Sequence, residues 1–579
     1  MQLLKKYLPI FDWLPNYKKK YLQGDLTAGL TVGIMLIPQG MAYAMLAGLN
    51  PIHGLYAVTV PILLYAIFGT SRQLAVGPVA MVSLLTAAGI GALGPSSPEQ
   101  YLLYALTLAF LIGLIQFGMG ILRFGFFVNF LSHPVINGFT SAAAIIIGLS
   151  QIKHLFGIEL PRSEYVQDIL VSIFHNIGTL NWTAFAIGIG GIIIIKFGKK
   201  IHKNLPTPLL AVIFGILLVW GFGLTENGVT VLGEVPAGLP GLSSPSFSME
   251  TWSLLLPIAF TISLVSFAES FAVAKIIQGK HKDYKLDANQ ELIGLGMANF
   301  GAAFFMGYPV TGGFSRTAVN DQSGAKTALS SIISVALIII TLLFLTELFF
   351  YLPNSILAAV VIVAVLGLVD IKTPKILWQT DKTDFFLLMI TFISTLTLGI
   401  VVGILIGIAL SLGAVLYKAS RPHMAKLAQV PNTNIYRNTD RFKDLIENKD
   451  ELFIRIDGQI YFANINFIQK RIEAWEKGKG DALKKVILNF ESVISIDSSG
   501  AHEIEEWILN WHQKGIQVAI AGARGPVRDV LAKWNIIEKL GEEYIFVNMN
   551  DAVNYLNEGE KEGSDFNKRK YALQNNVKE

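Results

Sequence analysis

The stretch Gly307–Lys326, reading GYPVTGGFSRTAVNDQSGAK, sets an arginine among glycines between two long apolar runs. Pro309, Gly312 and Gly313 are poor residues for a continuous membrane helix, so the helix is predicted to begin at about Phe314 after an extended segment. A helix that starts at bilayer depth presents unpaired N–H groups and the positive end of its dipole, and Ser315 and Arg316 add a hydroxyl donor and a fixed charge in that first turn. The chemistry this suits is the holding of an anion. A polar cytoplasmic loop with an exposed arginine is the competing reading, and only placement inside the membrane separates the two.

A second interrupted run, LAVGPVAMVSLL at Leu74–Leu85, brings Val76, Gly77 and Pro78 to a similar start, with Pro78 expected at the first helical position. Gln39 and Tyr43 fall one turn apart after Pro38, where both can hydrogen-bond a ligand or simply pack in a core. Glu269 sits among apolar residues with Ser266 on the same face. A carboxylate there must be neutralised, paired or hydrated; it serves either to carry a proton or as a permanent partner of Arg316. Arg72 reads as an orientation charge, and Asp287 and Glu291 as acids at a helix start.

The elements that must position these residues are membrane helices. Of 579 residues, 52% are hydrophobic and only 15% charged, with mean hydropathy +0.51. The formal charge of +4 is spread by topology and not gathered on a nucleic-acid face, and the absence of cysteine excludes disulfides and thiol chemistry. No removable signal peptide, metal or cofactor is expected.

Spans are predicted at 26–46, 51–68, 74–92, 101–122, 135–152, 182–197 and 208–222, then 252–276, 291–308, 314–323, 328–350, 355–369, 385–397 and 400–417. Lysine and arginine clusters at Arg72, Arg123, Lys199–Lys203, Lys280–Lys285, Lys326, Lys372–Lys382 and Lys418–Arg421 follow alternate spans; the other connections hold only Lys153 and Arg162. Both termini are therefore expected on the cytoplasmic side. Seven spans do not return a chain to its starting side, so two seven-span halves have inverted topology and their broken third helices meet near the midplane. Two unrelated glycine kinks are the plainer alternative.

Past Arg421 the composition turns charged and alternating, and a soluble domain is expected over 440–557. Strands at 452–456, 485–489 and 517–521 alternate with helices at 465–475, 501–511 and 527–533, which implies a small α/β sheet. Residues 1–24 read as a cytoplasmic segment, 25–421 as the membrane domain, and 558–579 as a disordered tail.

PQGMAYA at Pro38–Ala44, GTSRQLAVGPVA at Gly69–Ala80, FAESFAVAK at Phe267–Lys275 and GGFSRTAVNDQSGAKT at Gly312–Thr327 resemble, in that order, motifs of the sulfate permease (SulP) family of anion transporters. VILNFESVISIDSSG at Val486–Gly500 resembles the STAS domain those proteins carry, itself similar to anti-sigma-factor antagonists. His53 stands where an aromatic residue is expected. The resemblance implies a seven-plus-seven inverted repeat of about fourteen spans, divided into core and gate domains that move as an elevator, and a homodimer. It also implies an anion pocket lined by Gln39, Tyr43, Val76, Gly77, Pro78, Gly313, Phe314, Ser315 and Arg316, with Glu269 as the coupling carboxylate. Ser498 stands at the serine that is phosphorylated in the antagonists; a turn or cap role for Asp497 and Ser498 is favoured here.

The leading expectation is a secondary active, proton-coupled importer of sulfate in a cell inner (plasma) membrane, with the lipid bilayer as its solvent and no enzymatic or nucleic-acid role. Glutamate in place of aspartate at position 269 favours protons over sodium. Bicarbonate with sodium, or a dicarboxylate with protons, stays open, as does an anion-binding sensor that signals through its STAS domain to a protein partner the sequence does not identify.

Overall fold

Apolar runs in a bilayer must satisfy their backbone within the segment, and in this computed structural model they do so as helices. It describes residues 7–126, 132–160, 165–201 and 206–559. Arg162, Lys203 and all but the first two residues of the 558–579 tail lie outside them. Seven spans precede Gly223: Leu22–Leu46, the pair Pro51–Tyr56 and Val60–Phe68, Ala80–Gly91, Pro98–Ile121, His133–Ser150, Trp182–Ile201 and Thr207–Phe222. Seven follow it: Met249–Lys280, Ala288–Phe304, Phe314–Gln322, Leu329–Phe344, Asn354–Leu366, Lys382–Leu398 and Ile400–Ala419. The chain is thus a polytopic α-helical membrane protein, a seven-plus-seven inverted repeat followed by a small α/β domain. Trp220, Phe222 and Phe344 stay largely exposed, as lipid-facing positions do.

The second span is not one helix. Pro61 has no N–H to give and its ring crowds the preceding turn, so the chain breaks at Thr59, whose hydroxyl bonds Tyr56 O at 2.6 Å. The break sets Val58 where a Cβ on Gly77 would approach its Cγ1 to 3.0 Å. The first span, by contrast, runs unbroken through Pro38 and touches the second backbone to backbone: a Cβ on Gly54 would sit 1.9 Å from Gly40 O.

Packing sorts the spans into two groups. The first four and the eighth to eleventh pack chiefly on one another, led by Ala288–Phe304 against Pro98–Ile121 and Leu329–Phe344 against Leu22–Leu46. The other group pairs Lys382–Leu398 with His133–Ser150 and Trp182–Ile201 with Asn354–Leu366. Two amphipathic helices, Val166–Asn176 of 11 residues and Lys372–Thr380 of 9, lie between spans and are too short to cross a bilayer.

A separate compact unit begins at Leu412. Its sheet runs Tyr436–Asn438, His423–Gln429, Glu451–Ile460, Lys485–Asn489, Gln517–Ala521, Ile545–Phe546, with Val493–Ile496 paired to the far end of Glu451–Ile460. The sheet therefore starts before residue 440, the boundary expected from composition, because His423–Gln429 pairs antiparallel with Glu451–Ile460. From there on the neighbours are parallel, as helical crossovers require. Asp497 caps Ser498–Gln513 by accepting from Gly500 N at 2.8 Å, and Ser498 is exposed at the first position of that helix.

Candidate anion-binding site

Val76–Gly77 and Thr311–Gly312 form a two-stranded antiparallel ladder, Val76 opposite Gly312 and Gly77 opposite Thr311. Two short strands from the two halves of the chain are tied side by side, and each then turns into a helix. The join continues where Gly313 N donates to Ala75 O at 3.0 Å and Ala75 N donates to Thr317 Oγ1 at 3.0 Å. Gly77, at φ +151°, holds a conformation open to glycine. Gly313 is needed for room: a Cβ there would stand 2.9 Å from Arg316 Nη2.

Arg316 folds back over these glycines and is 3% exposed. Its Nη1 donates to Pro78 O at 2.7 Å, while Nε and Nη2 are buried with no partner. Buried donors without acceptors are rare, and these two belong to a charged group beside two helix starts. Pro78 accordingly does not take the first helical position: the helix begins at Ala80 after an extended Val79, and Pro78 serves as the carbonyl that orients the guanidinium.

The other residues singled out differ in burial and in partners. Gln39 and Tyr43 are both buried, and the amide oxygen of Gln39 has no partner. Glu269 is half-buried with Oε2 unpartnered, and no hydrogen bond or ion pair joins it to Arg316. The charge of Arg316 nonetheless acts on Tyr43, Tyr308 and Glu269 together. Ser266 does not serve Glu269: its hydroxyl accepts from Gln116 Nε2 at 2.9 Å. Phe314 and Ser315 are exposed, and Val76 and Gly77 are buried in the ladder. Arg72 lies elsewhere, paired with Asp12 and Asp283 and stacked on Tyr284.

A polar scaffold that the sequence reading did not single out holds this geometry. Asn299 brackets Val310, accepting its N–H at 2.9 Å and donating to its O at 3.1 Å. Ser270 Oγ accepts from Gly312 N at 2.8 Å, and Thr311 Oγ1 donates to Ser266 O. Tyr308, fully buried, shares a hydrogen bond with Ser83 at 3.1 Å and is a polar group of the site that was missed. His53 Nδ1 bonds Met306 O at 2.7 Å, tying the break in the second span to the same segment.

Two buried carboxylates tie the two halves of the chain together reciprocally. Asp25, from the first half, accepts from Lys326 N, Thr327 N and Thr327 Oγ1 of the second. Glu291, from the second half, accepts from Tyr65 Oη at 2.6 Å, Thr70 N at 2.7 Å, Thr70 Oγ1 at 2.6 Å and Ser71 N at 3.0 Å of the first. It lies in the first turn of its helix, as expected, but its carboxylate is spent on the first half of the chain, and Asp287 caps that helix through Asn289 N and Gln290 N. Glu291→Ala would strand four donors and lower stability by about 3–5 kcal/mol, read as an early thermal unfolding transition in detergent. An unfolding temperature equal to that of the parent would remove the clamp assignment.

Two inverted halves that each send a broken helix to one buried guanidinium define a membrane transporter of the inverted-repeat class. The sulfate permease family profile matches residues 22–391 and the STAS domain profile residues 443–552. Sulfate transporter 4.1, chloroplastic, of Arabidopsis thaliana is 41% identical over 563 residues, covering 94% of this chain and 82% of that protein. Sulfate transporter 1.1 of the same plant is 35% identical over 95% of this chain and 88% of its own. The murine Solute Carrier 26 family member A9 anion transporter, in an inward-facing state, superposes with TM-score 0.89 at 25% identity over 96% of this chain and 95% of that one. The transmembrane domain of a cyanobacterium bicarbonate transporter shares the fold, with TM-score 0.59 at 23% identity over 69% of this chain and 99% of that one. The chain belongs to the sulfate permease family and is a multi-pass inorganic anion transporter with a C-terminal STAS domain.

Proposed function

We propose that this protein imports sulfate together with protons across a cell inner membrane, both termini on the cytoplasmic side. The observation that carries the reading is the pair of buried, acceptor-free N–H groups of Arg316 set between two helix starts. An oxyanion there receives the guanidinium Nε and Nη2, the backbone N–H groups after Val79 and Gly313, and the hydroxyl of Ser315. Gln39, Tyr43 and the Phe314 ring complete the wall, with Val76, Gly77 and Pro78 shaping the opposite side. The names of the similar plant proteins favour sulfate among oxyanions.

Sulfate is a dianion at neutral pH, and one arginine offsets half its charge. A proton on Glu269 relieves the remaining repulsion, and the free Oε2 is consistent with a carboxyl that exchanges its proton and is not locked in an ion pair. In this reading 25–421 is the transport domain, working as an elevator within a homodimer, and the STAS domain at 440–557, with its first strands just before, takes no part in anion selection. Ser498 remains a capping-turn residue, with phosphorylation the rival role.

Radiolabelled sulfate uptake into vesicles holding the purified protein, under an inward proton gradient and in competition with bicarbonate, fumarate, oxalate and chloride, tests the reading. Saturable uptake, abolished by proton ionophore and competed best by sulfate, is expected. Binding without flux would make the protein a sensor, and competition led by another anion, or dependence on sodium, would overturn the substrate or the coupling ion.

A further inference from the structure

The soluble unit carries a second cationic cluster that transport does not use. His423, at the start of the sheet, follows closely on Ala419, the end of the last span. It faces Asp457 across the ladder, Nδ1 to Oδ2 2.7 Å. Arg455, on the same strand face, binds that carboxylate through Nε at 2.8 Å and Nη2 at 3.0 Å. Burial opposes ionisation of Asp457, but these hydrogen bonds outweigh it and hold its carboxyl below the ordinary range. The edge strand and the turn after it bring Arg437, Asn438 and Arg441 alongside, around an open cleft of about 480 Å³.

The charges in this cleft do not balance. Asp457 is taken by Arg455 and His423, while Arg437 only stacks on Phe442 and Arg441 has no carboxylate partner among the described residues. Asn438 spends its amide oxygen on Asp440 N, which leaves its NH₂ free at the cleft wall. Farther along the same sheet face, Ala425, Leu427 and Phe453 pack with Met549, Ala552 and Val553 of the last helix, yet the His423 side chain remains 48% exposed.

We propose that this cleft binds a phosphate monoester through the guanidinium forks of Arg437 and Arg441 and the Asn438 amide, with the remaining Nη1 of Arg455 beside them. Guanidinium forks match the paired oxygens of a terminal phosphate, and both forks converging on one cleft favour a multiply charged head over a single carboxylate. An acidic peptide is less suited, because the edge strand Tyr436–Asn438 is three residues long and offers little backbone to pair with. The link from Ala419 to His423 reaches at most about 14 Å, so a lipid head group and a soluble ester are both within range of the site.

sn-Glycerol 3-phosphate and phosphatidic acid share that head and differ only in acyl chains, so the pair separates the two sources. Full-length protein in phosphatidylcholine nanodiscs is titrated with glycerol 3-phosphate by calorimetry, and lipid retained from nanodiscs containing phosphatidic acid is counted by native mass spectrometry. Saturable binding in either arm is expected, weakened about tenfold or more by Arg437→Gln with Arg441→Gln. It should be untouched by Arg316→Ala, which separates this cleft from the transport site. Arg524→Gln with Lys533→Gln removes the same charge from the ends of the helix Gly525–Lys533 and should leave binding intact. Binding in the soluble arm alone assigns a cytosolic ester, and retention in the lipid arm alone assigns a head group. No saturable binding in either arm, or equal loss in both double variants, overturns the site. Since both substituted arginines are exposed and bonded only by stacking or not at all, unchanged thermal unfolding of the variant is the folding control.

Discussion

Arg316→Ala should abolish anion binding and leave the fold standing. Two charge-assisted hydrogen bonds disappear together with the fixed positive charge, and at about 1.5–3 kcal/mol for each bond the affinity falls by roughly a hundredfold to ten-thousandfold. The protein itself loses one bond, from Nη1 to Pro78 O. That loss is about 1.5–3 kcal/mol, and it is offset by removal of a buried charge that has no carboxylate against it. Unfolding temperatures measured without anion should therefore match the parent, while sulfate no longer raises them. Arg316→Lys keeps the charge and loses the fork, so it should bind weakly. Ser315→Ala removes one neutral donor from an exposed position and should cost a few-fold to tenfold in affinity. A variant lacking Arg316 that sulfate still stabilises like the parent would show that the guanidinium is not a ligand.

Glu269→Gln should part binding from coupling. The amide keeps the size of the proton-loaded side chain and cannot release a proton, so the anion still binds and anion-for-anion exchange survives. Uphill uptake on an inward proton gradient fails, and the pH dependence of flux flattens. The contrary outcome is also readable: were Glu269 a structural partner of Arg316, binding and exchange would fall together, but no hydrogen bond joins the two side chains. The comparison is accumulation against equilibrium exchange in one vesicle preparation, and parental proton-driven accumulation would remove Glu269 as the coupling group.

What could be read in the sequence follows from where each signal is stored. Gly312, Gly313 and Arg316 interrupt an apolar run, and such an interruption shows locally. Asn299, Ser270, Tyr308 and Thr317 look like ordinary polar residues of buried helices, because the groups they hold come from elsewhere in the fold. Glu291 was placed in the first turn of its helix, where it stands, but its partners could not be read, because they lie some 221 residues away at Thr70. Pro78 was misplaced by two residues because a rule about helix starts says nothing of a strand that must first be completed across the chain. In the soluble unit the central strands were plain as apolar runs. His423–Gln429 was missed since HMAKLAQ, coming straight after a basic membrane end, resembles a linker until Glu451–Ile460 is there to pair with it.

The ladder also sets a clock on biogenesis. Pro78 and Arg316 are 238 positions apart, and Ala75 and Thr317 are 242 apart. At roughly 5–20 residues per second, the extended segment around Val76 waits on the order of tens of seconds after its own synthesis before its partner strand emerges. With the segment at bilayer depth, as the proposed transport site requires, its backbone N–H and C=O groups have nothing from the second half to bond them through that interval, a state a lipid environment penalises heavily. Chains stalled before Thr327 should accordingly remain with the insertion machinery or be degraded, and release as protease-resistant protein should begin only once the second broken helix has been made.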